Sequence, residues 1–293
     1  MGTVDSASGR GVLVGILACN HRTKTLECVR SVMATASPAP DVLLVDNGSG
    51  ESIGNAVKAE WPSVDVRILD RNICAAGGRN MLLQHFKEQG DWRHILFLDN
   101  DILLMPDAIE RAVACATALE HEGIRVGGIG AHVLYRDRPS IYWSAGGARI
   151  DWPGSWFTDT GQGVARGGFV ERRPVDTIPT AFLLAWRVAA LATGGCVDDY
   201  CVYLEDSDWC WRMKLAGFDL YAAPDAEALH DTSSSVGMGS PPFHYYRTRN
   251  RLWFFQAFSP LGRARVLRTV FRSVIGGVLY MELASRRPRA AMG

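Results

Sequence analysis

Short runs that are mainly apolar alternate with amphipathic stretches in the N-terminal part of the chain. The runs predict strands, and they are residues 12–17, 41–45, 64–69 and 94–98, of which the continuous apolar run 12–17 is typical of a strand buried on both faces. Apolar residues recur at helical spacing in the intervening stretches, which are 25–36, 51–60 and 77–89. This β-α-β-α-β-α-β order predicts an α/β fold with a mainly parallel sheet and helices on both of its faces.

The second half of the chain has a less regular pattern. Residues 106–122 are predicted to be helical, with Pro106 near the start and Gly123 after the end. Residues 204–216 are a second predicted helix, with acids in the first turn and Gly217 after the end, and 178–186 is a further candidate strand. Gly, Trp, Arg and Pro are frequent over 136–174, which predicts extended loops and short strands.

Arginines interrupt an apolar pattern beyond Pro260, where we expect C-terminal helices. They are Arg263, Arg265, Arg268 and Arg272, followed by Arg286, Arg287 and Arg289. A basic amphipathic helix of this kind can lie on an anionic membrane surface. An ordinary packing helix or a homodimer contact explains the same pattern, and we prefer these simpler interpretations.

Composition and charge exclude several classes of protein. The 293 residues include 31 basic and 31 acidic side chains, so no net positive charge favours nucleic-acid binding. The seven cysteines are scattered without a C-x-x-C pair, which supports neither a zinc ribbon nor a disulfide framework and predicts reduced thiols. Residues 1–10 lack an apolar signal core, and no apolar run reaches the length of a membrane span. We therefore expect a cytoplasmic protein, with membrane association through the C-terminal helices as the open alternative.

The segment Asp99-Asn100-Asp101 directly follows the apolar run 94–98. It therefore lies at the carboxyl end of a predicted strand, and ligands bind at this edge of open α/β sheets. Two carboxylates one residue apart repel each other unless a cation lies between them, and a divalent ion held in this way can bind a diphosphate. Because Asp and Asn also favour turns, an isolated D-x-D is weak evidence by itself.

Further polar segments accompany this one. Asp46 and Asn47 end the second predicted strand, and a small-residue loop at 72–80 leads into a helix. Three acids cluster at the helix start 205–208, and His230 ends a later strand. Acids also stabilise a helix N-terminus by electrostatics alone, and a histidine at a strand end is equally suited to a structural role. No G-x-G-x-x-G follows the first strand, which counts against a dehydrogenase.

Two other groups of residues have two interpretations each. The aromatic residues of the loop-rich region suit stacking on a sugar or a small separate core, and they are Trp143, Trp152, Trp156 and Phe157. Ser233 to Ser235 suit phosphate binding or a polar loop.

Taken in order, these segments resemble the inverting GT-A glycosyltransferases of family 2, especially their non-processive, rhamnosyltransferase-like members. Those proteins carry a V-D-N-G-S segment, an N-x-G-x-x-x-G-x-N loop, a D-x-D-like metal motif, an E-D-x-D helix start, a later His and an R-N pair. The corresponding segments here are 45–49, 72–80, 99–101, 205–208, His230 and Arg249-Asn250. The resemblance covers roughly residues 12–255, and it implies a GT-A fold with a Rossmann-like nucleotide-binding sheet.

The resemblance also implies roles for the matching residues. Those implied to bind the nucleotide sugar are Asp46, Asn47, Asn72, Gly78, Arg79, Asn80, Asp99 and Asn100. A Mg²⁺ or Mn²⁺ ion that bridges the diphosphate would be held by Asp101, with Asp99 and His230 as further ligands. Asp206 would be the general base that deprotonates the acceptor hydroxyl, with Glu205 and Asp208 beside it as the next candidates. No separate carboxylate suggests itself as a nucleophile, so inversion is expected.

Two positions depart from the pattern of the family. Cys74 replaces a usual glycine in the 72–80 loop, and Asn100 separates two acids where many members have proline. We interpret both as changes in the fit of the donor sugar.

The expected partners are a nucleotide diphosphate sugar, with UDP or dTDP as its nucleotide, and a hydroxyl acceptor. The acceptor could be a glycan, a lipid-linked glycan or a small natural product. We expect a catalytic domain at 11–255, with a nucleotide-sugar-binding half at 11–105 and an acceptor-binding half at 106–255, followed by a helical extension at 256–293.

Two other functions remain open at this point. A sugar nucleotidyltransferase would need a Gly-rich loop with Arg or Lys after the first strand, and residues 18–22 are poor in glycine. A catalytically silent nucleotide-sugar-binding protein would bind the donor without turnover.

Overall fold

The computed structural model describes residues 11–35, 40–159, 161–232 and 240–285, and a ten-stranded mixed sheet runs through this part of the chain. The helices are α1 (Arg22–Thr35), α2 (Ile53–Glu60), α3 (Cys74–Glu88), α4 (Ala108–His121), α5 (Arg187–Thr193), α6 (Glu205–Leu215), α7 (Pro241–Phe258) and α8 (Arg263–Ser285). The first six strands are β1 (Val12–Ala18), β2 (Asp41–Asp46), β3 (Asp65–Ile68), β4 (His94–Asp99), β5 (Ile102–Leu104) and β6 (Val126–Tyr135). The others are β7 (Tyr142–Ala145), β8 (Ala148–Asp151), β9 (Trp156–Asp159), β10 (Arg173–Val175), β11 (Phe182–Trp186) and β12 (Asp219–His230).

The first four predicted strands form one parallel block, in the order β3-β2-β1-β4. The interior side chains of β1, β2 and β4 are almost completely buried, whereas β3 is the edge strand and its side chains are half-buried or exposed. Along the register, Ala18 lies opposite Asp46 and Leu17 lies opposite Asp99. The two acidic strand ends therefore reach the same edge of the sheet, and the predicted α/β fold with a mainly parallel sheet is confirmed.

Four further strands extend the sheet beyond β4 in the order β11-β6-β12-β10, with β5 paired to β12 and β7 to β6, while β8 and β9 form a separate two-stranded sheet. β11 is antiparallel to both of its neighbours, whereas β6 and β12 pair in parallel. The predicted strand 178–186 begins only at Phe182, since 178–181 forms a loop that includes Pro179.

β6 has no counterpart among the sequence predictions, because its start is rich in glycine. A Cβ atom at Gly130 would lie 2.1 Å from the carbonyl oxygen of Gly146, so a neighbouring loop passes too close for any side chain. Glycine lowers strand propensity, and here the close packing that requires it is visible only in three dimensions.

The C-terminal helices pack on each other and on the loop-rich region. Phe254 and Phe255 of α7 form a small core with Val266 and Val270 of α8. Trp152 packs against the same core, 5.7 Å from the ring of Phe255. Among the described helices, none has both the length and the apolar character that a bilayer crossing requires. The predicted features at Ser233 to Ser235 and at Arg286, Arg287 and Arg289 lie outside the described residues.

Candidate active site

A cavity of about 900 Å³ opens at the edge where β1 and β4 end. The predicted site residues that line it are Asn47, Asn72, Arg79, Asp99, Asn100, Asp101, Glu205, Asp206 and His230. Its opposite wall comes from the loop-rich region and from α7. Most of the polar groups predicted from separate segments therefore share one cavity.

Asp101 and His230 meet because of backbone pairing that follows directly after the D-x-D. β5 pairs antiparallel with the end of β12, so that Ile102 lies opposite His230. As a result His230 Nε2 lies 3.3 Å from Asp101 Oδ1, on the cavity wall. The other ring nitrogen, Nδ1, is buried without a hydrogen-bond partner. A carboxylate and an imidazole at this distance can ligate one divalent cation between them.

Asp99 forms an ion pair with Arg79. Arg79 Nη2 lies 2.8 Å from Asp99 Oδ1, and Arg79 Nη1 donates to Glu205 Oε1. Burial works against the charged guanidinium, but the two carboxylates outweigh it and raise the pKa of Arg79. Arg79 therefore joins the end of β4 to the start of α6. Within the four described stretches, no three His, Cys, Asp or Glu side chains are grouped closely enough to hold a metal ion.

Glu205 and Asp206 are adjacent in sequence but differ in their surroundings. Glu205 is 3% exposed, and burial raises its pKa to about 7, although the charge of Arg79 acts in the opposite direction. Its second oxygen, Oε2, is buried without a hydrogen-bond partner.

Asp206 is only partly buried and lines the cavity. Its carboxylate accepts hydrogen bonds from Ser207 N at 2.6 Å and from Thr180 N at 3.4 Å. Burial raises the pKa of Asp206, whereas Arg79 and these hydrogen bonds lower it. A carboxylate that is fixed by backbone donors and has a raised pKa is well suited to accept a proton from a ligand in the cavity.

Four predicted site residues do not line the cavity. Both oxygens of Asp46 accept backbone hydrogen bonds, from Ser49 N at 3.2 Å and from Gly54 N at 3.1 Å. Asn80 is occupied by the backbone of Cys196, through hydrogen bonds of 2.8 and 2.9 Å.

Asp208 and Gly78 complete this group. Asp208 forms a buried ion pair with Arg212, at 2.6 Å, and accepts a hydrogen bond from Tyr200. A Cβ atom at Gly78 would lie 2.4 Å from Leu17 Cδ1, so this glycine allows α3 to pack on β1. A sequence shows that these residues follow strands or begin helices, but it does not show which side of the element they face.

Asparagines hold the 72–80 loop against the sheet. Asn47 Oδ1 accepts from Ile73 N at 2.9 Å, and Asn47 Nδ2 donates to the carbonyl oxygen of Cys74 at 2.9 Å. Asn72 Oδ1 accepts from Cys74 N at 2.7 Å. These bonds satisfy backbone groups at the start of α3, which begins at Cys74 rather than at the predicted residue 77. Asn100 similarly anchors the loop after β1, donating to the carbonyl oxygen of Asn20 at 3.1 Å.

The prediction that all cysteines are reduced is wrong for one pair. Cys74 and Cys201 form a disulfide, with Cα atoms 4.9 Å apart, although they are 127 positions apart in the sequence. Both cysteines line the cavity, at the start of α3 and just before α6. Spacing rules detect local pairs such as C-x-x-C, so they carried no signal for a pair so distant in sequence.

The aromatic residues divide between the two interpretations. Trp143, Trp156 and Phe157 line the cavity, whereas Trp152 packs into the core of the C-terminal helices. Phe157 contacts both the cavity and this core, because its ring also lies 5.0 Å from that of Phe254.

α7 contributes cavity residues that the sequence analysis did not identify individually. Phe243, Tyr246 and Arg247 lie on its cavity side. The guanidinium of Arg247 lies over the rings of Phe243 and Trp156, at 5.0 and 5.6 Å. Surrounding protein lowers the pKa of Arg247, yet no described carboxylate lies within ion-pairing distance of it. The only sequence signal was the nearby Arg249-Asn250 pair.

A family model described as "Glycosyltransferase like family 2" matches residues 10–254 of the chain. Two curated relatives carry the name N-acetylglucosaminyl-diphospho-decaprenol L-rhamnosyltransferase, from Mycobacterium tuberculosis strains CDC 1551 / Oshkosh and ATCC 25618 / H37Rv. Each is 26% identical over 242 residues, which cover 77% of this chain and 76% of the relative.

Solved structures of similar fold include GalNAc-T7 with UDP, GalNAc and Mn²⁺, at a TM-score of 0.62 and 15% identity. That match covers 80% of this chain, which spans only 45% of the GalNAc-T7 chain. The mannosyltransferase PcManGT from Pyrobaculum calidifontis, in complex with GDP-Man and Mn²⁺, has a TM-score of 0.58 and 16% identity, with 94% of this chain and 76% of that chain covered. A third is S. aureus TarS 1-349, at a TM-score of 0.54 and 14% identity, with coverages of 89% and 69%.

Proposed function

The chain belongs to glycosyltransferase family 2 and has a GT-A fold, and from this premise we propose that it transfers a sugar from a nucleoside diphosphate to an acceptor hydroxyl with inversion. One observation carries the proposal. Asp206, a carboxylate with a raised pKa, lines the same cavity as the Asp101–His230 pair. A proton acceptor and a site for a diphosphate-bound cation are the two requirements of such a transfer.

Asp101 and His230 are the residues that we propose would hold Mg²⁺ or Mn²⁺. The unpartnered Nδ1 and the short distance between Nε2 and the carboxylate fit one cation, with diphosphate oxygens and water completing its coordination. When bound, the ion would neutralise the charge that develops on the leaving diphosphate. Asp99 would contribute indirectly by fixing Arg79 at the cavity wall.

In the proposed reaction, Asp206 accepts the proton of the acceptor hydroxyl. The acceptor oxygen then bonds to the anomeric carbon as the bond from that carbon to the diphosphate oxygen breaks. One displacement on the face opposite the leaving group inverts the configuration. The hydrogen bonds from Ser207 and Thr180 orient the Asp206 carboxylate, and Glu205 is held by Arg79.

We propose UDP or dTDP as the nucleotide of the donor. The proposed nucleotide end of the cavity is lined by Cys19, Asn47 and Asn72, which lie on the loops that follow β1, β2 and β3 respectively. UDP is bound in the solved GalNAc-T7 structure, although PcManGT holds GDP-Man. A sugar nucleotidyltransferase is disfavoured by the family match, and a silent binding protein by the cavity-facing Asp206.

For the acceptor we propose a lipid-linked glycan, the acceptor class that the name of the mycobacterial relatives indicates. Arg247 provides a cationic group without a carboxylate partner on the α7 wall, suited to the phosphate of such a lipid. The cavity therefore offers complementary charge on the side opposite the strand ends.

We further propose that α8 lies on an anionic membrane surface. Leu267 and Phe271 are 52% and 63% exposed, and Val274 and Ile275 extend the same apolar face. No acidic residue occurs over 263–276, which includes four arginines. A two-fold contact of α8 with itself would bring arginines close to arginines, so charge favours lipid over a homodimer.

The proposed division is a catalytic domain at 11–255, with a donor half at 11–105 and an acceptor half at 106–255, and a helical extension from 256 onward. Asp101 comes from the donor half and Asp206 from the acceptor half, and both line one cavity. This arrangement supports a single catalytic domain to which both halves contribute.

A thermal-shift experiment tests the donor and metal proposal. We expect one of UDP, dTDP and GDP to raise the Tm in Mn²⁺ but not in EDTA, because a ligand that binds the folded state stabilises it. Asp101→Asn should lose this stabilisation, whereas Asp137→Asn, at an exposed aspartate outside the cavity, should retain it. Equal shifts with and without metal in the unsubstituted protein would refute metal-assisted donor binding.

A further inference from the structure

We propose that the Cys74–Cys201 disulfide positions two segments relative to each other: the 72–80 loop, called the donor loop below, and α6, which carries the proposed base Asp206. Thiols that reduce the disulfide would reverse this positioning. The part of this inference that concerns donor affinity rests on the proposed function, whereas the loop ordering does not. The disulfide joins the start of α3 to the segment just before α6, and both cysteines line the cavity.

The two segments also make noncovalent contact. Ala76 N donates to the carbonyl oxygen of Cys201 at 3.0 Å, and Arg79 of α3 pairs with Glu205 at the start of α6. Asp206, the proposed base, is the next residue after Glu205. A covalent link that lies five residues before Arg79 and four residues before Glu205 therefore acts on the position of the base.

Both cysteines have backbone conformations that disfavour an ordinary side chain. Cys74 has a φ of 67° and Cys201 has a φ of 63°, in the left-handed region where glycine is preferred. Tyr203 and Leu204 have φ values of 67° and 68°, so most of the approach to α6 is held in this region. Such conformations persist only where surrounding contacts determine them.

Asn250 supplies one such set of contacts. Its Nδ2 atom, which has two N–H groups, lies within hydrogen-bonding distance of three carbonyl oxygens just before α6, those of Tyr200, Val202 and Tyr203, at 2.7 to 2.9 Å. The disulfide supplies the second set of contacts, from the side of α3. Without the disulfide, residues 201–204 would stay hydrogen-bonded to Asn250 of α7 but would have no covalent link to the donor loop.

The disulfide is accessible to a small thiol, since both cysteines are only partly buried. In the proposed exchange, a thiolate attacks one sulfur, the S–S bond breaks, and a second thiol displaces the mixed disulfide. Two thiols RSH give RS–SR, and their two electrons and two protons remain on Cys74 and Cys201 as free thiols. A disulfide such as oxidised glutathione reverses the exchange.

The affinity for the nucleotide and the reduction of the disulfide are linked in both directions. If reduction weakens nucleotide binding, bound nucleotide must oppose reduction by the same factor. The five free cysteines give no comparable link, because none of them forms a disulfide within the described residues.

The first arm of the test needs no donor. Protein equilibrated with oxidised glutathione and then denatured without reductant should show five reactive thiols, and seven after reduction. Hydrogen exchange of peptides that cover 72–80 and 200–206 should be faster in the reduced protein, because the hydrogen bond from Ala76 N is no longer supported. Seven thiols in the oxidised sample, or equal exchange rates, would overturn the proposal.

The second arm measures nucleotide affinity with UDP, dTDP and GDP in Mn²⁺. Reduction should raise the Kd of the nucleotide that binds by about tenfold, because a preorganised loop no longer forms the site. Cys74→Gly and Cys201→Ser should show the weaker affinity in either redox state, and glycine should relieve the strain at position 74. Cys115→Ser, at a free cysteine outside the cavity, should retain the redox response.

The outcomes separate the two proposals. Unchanged affinity on reduction, with faster exchange, would mean that the disulfide orders the two segments without acting on the donor site, and would refute its effect on donor affinity. Binding of none of the nucleotides in either redox state would contradict the proposed donor, while the exchange arm still decides on loop ordering.

Discussion

The two walls of the cavity differ in how their chemistry is fixed. On the strand side, Asp99 and Asp101 are carried by β4 and its turn, and backbone pairing determines where they lie. On the α7 side, Arg247 faces the cavity over aromatic rings that come from α7 and β9. The first wall holds the Arg79–Asp99 ion pair and the Asp101–His230 contact, and the second holds an arginine without a carboxylate partner among the described residues.

This difference indicates a division of labour. Paired charges such as Arg79 with Asp99 are already compensated, so they serve to hold geometry. A cation without a carboxylate partner can instead gain energy from an anionic ligand. The proposed donor site is thus preorganised, whereas the acceptor wall offers a charge that a substrate would complete. Substitutions on the two walls and on α8 should therefore separate three properties: sugar transfer, acceptor binding and attachment to a membrane surface.

The largest effect on the transfer rate is expected at Asp206. Asp206→Asn should lower the transfer rate by about a thousandfold, because the amide cannot accept the hydroxyl proton. Nucleotide affinity, measured by calorimetry, should stay within about twofold, since the amide keeps its oxygen for Ser207 N.

The same measurement identifies a different base if Asp206 is not the proton acceptor. Near-normal transfer by Asp206→Asn would reject this assignment, and Glu205, whose pKa is raised to about 7, would be examined next. Asp137→Asn serves as the control for a charge change on the exposed surface.

A smaller and more selective effect is expected at Arg247. Arg247→Gln should raise the KM for a lipid diphosphate acceptor by about tenfold, because a charged hydrogen bond is lost. The Kd of the donor nucleotide should not change. Arg125→Gln is the matched control, since Arg125 also lies over an aromatic ring, that of Phe218, but outside the cavity. A rise in nucleotide Kd instead would place Arg247 on the donor diphosphate.

The smallest effect on chemistry is expected from α8, which extends the acceptor side. Phe271→Ser should weaken binding to vesicles of phosphatidylcholine with phosphatidylglycerol by about tenfold, and transfer to a water-soluble acceptor should be unchanged. Leu215→Ser, at an equally exposed apolar residue of α6, should bind vesicles normally. If Phe271→Ser instead dissociates a homodimer and vesicle binding is absent, the surface is a subunit contact.

Much of the parallel block and its acidic edge could be predicted from the sequence. The apolar runs before Asp46 and Asp99 predict buried strands, and parallel strands bring their carboxyl ends to one edge. The helix α6 could likewise be predicted, within one residue at each end, from the acids of its first turn and from Gly217 after its end. In these places local spacing and backbone geometry suffice, because strand direction alone determines which residues become neighbours.

The tertiary structure decided which of these residues face the cavity. Asp46 is turned to its own loop, Asp208 to Arg212, and Asn80 to the backbone of Cys196, although each has a suitable type and position in the sequence. Contacts between residues far apart in the chain made these choices. The same is true of the bond from Cys74 to Cys201, which spans 127 positions. Sequence spacing determines what a strand end or helix start can carry, whereas long-range packing determines which neighbours occupy its hydrogen bonds and which groups remain available to a substrate.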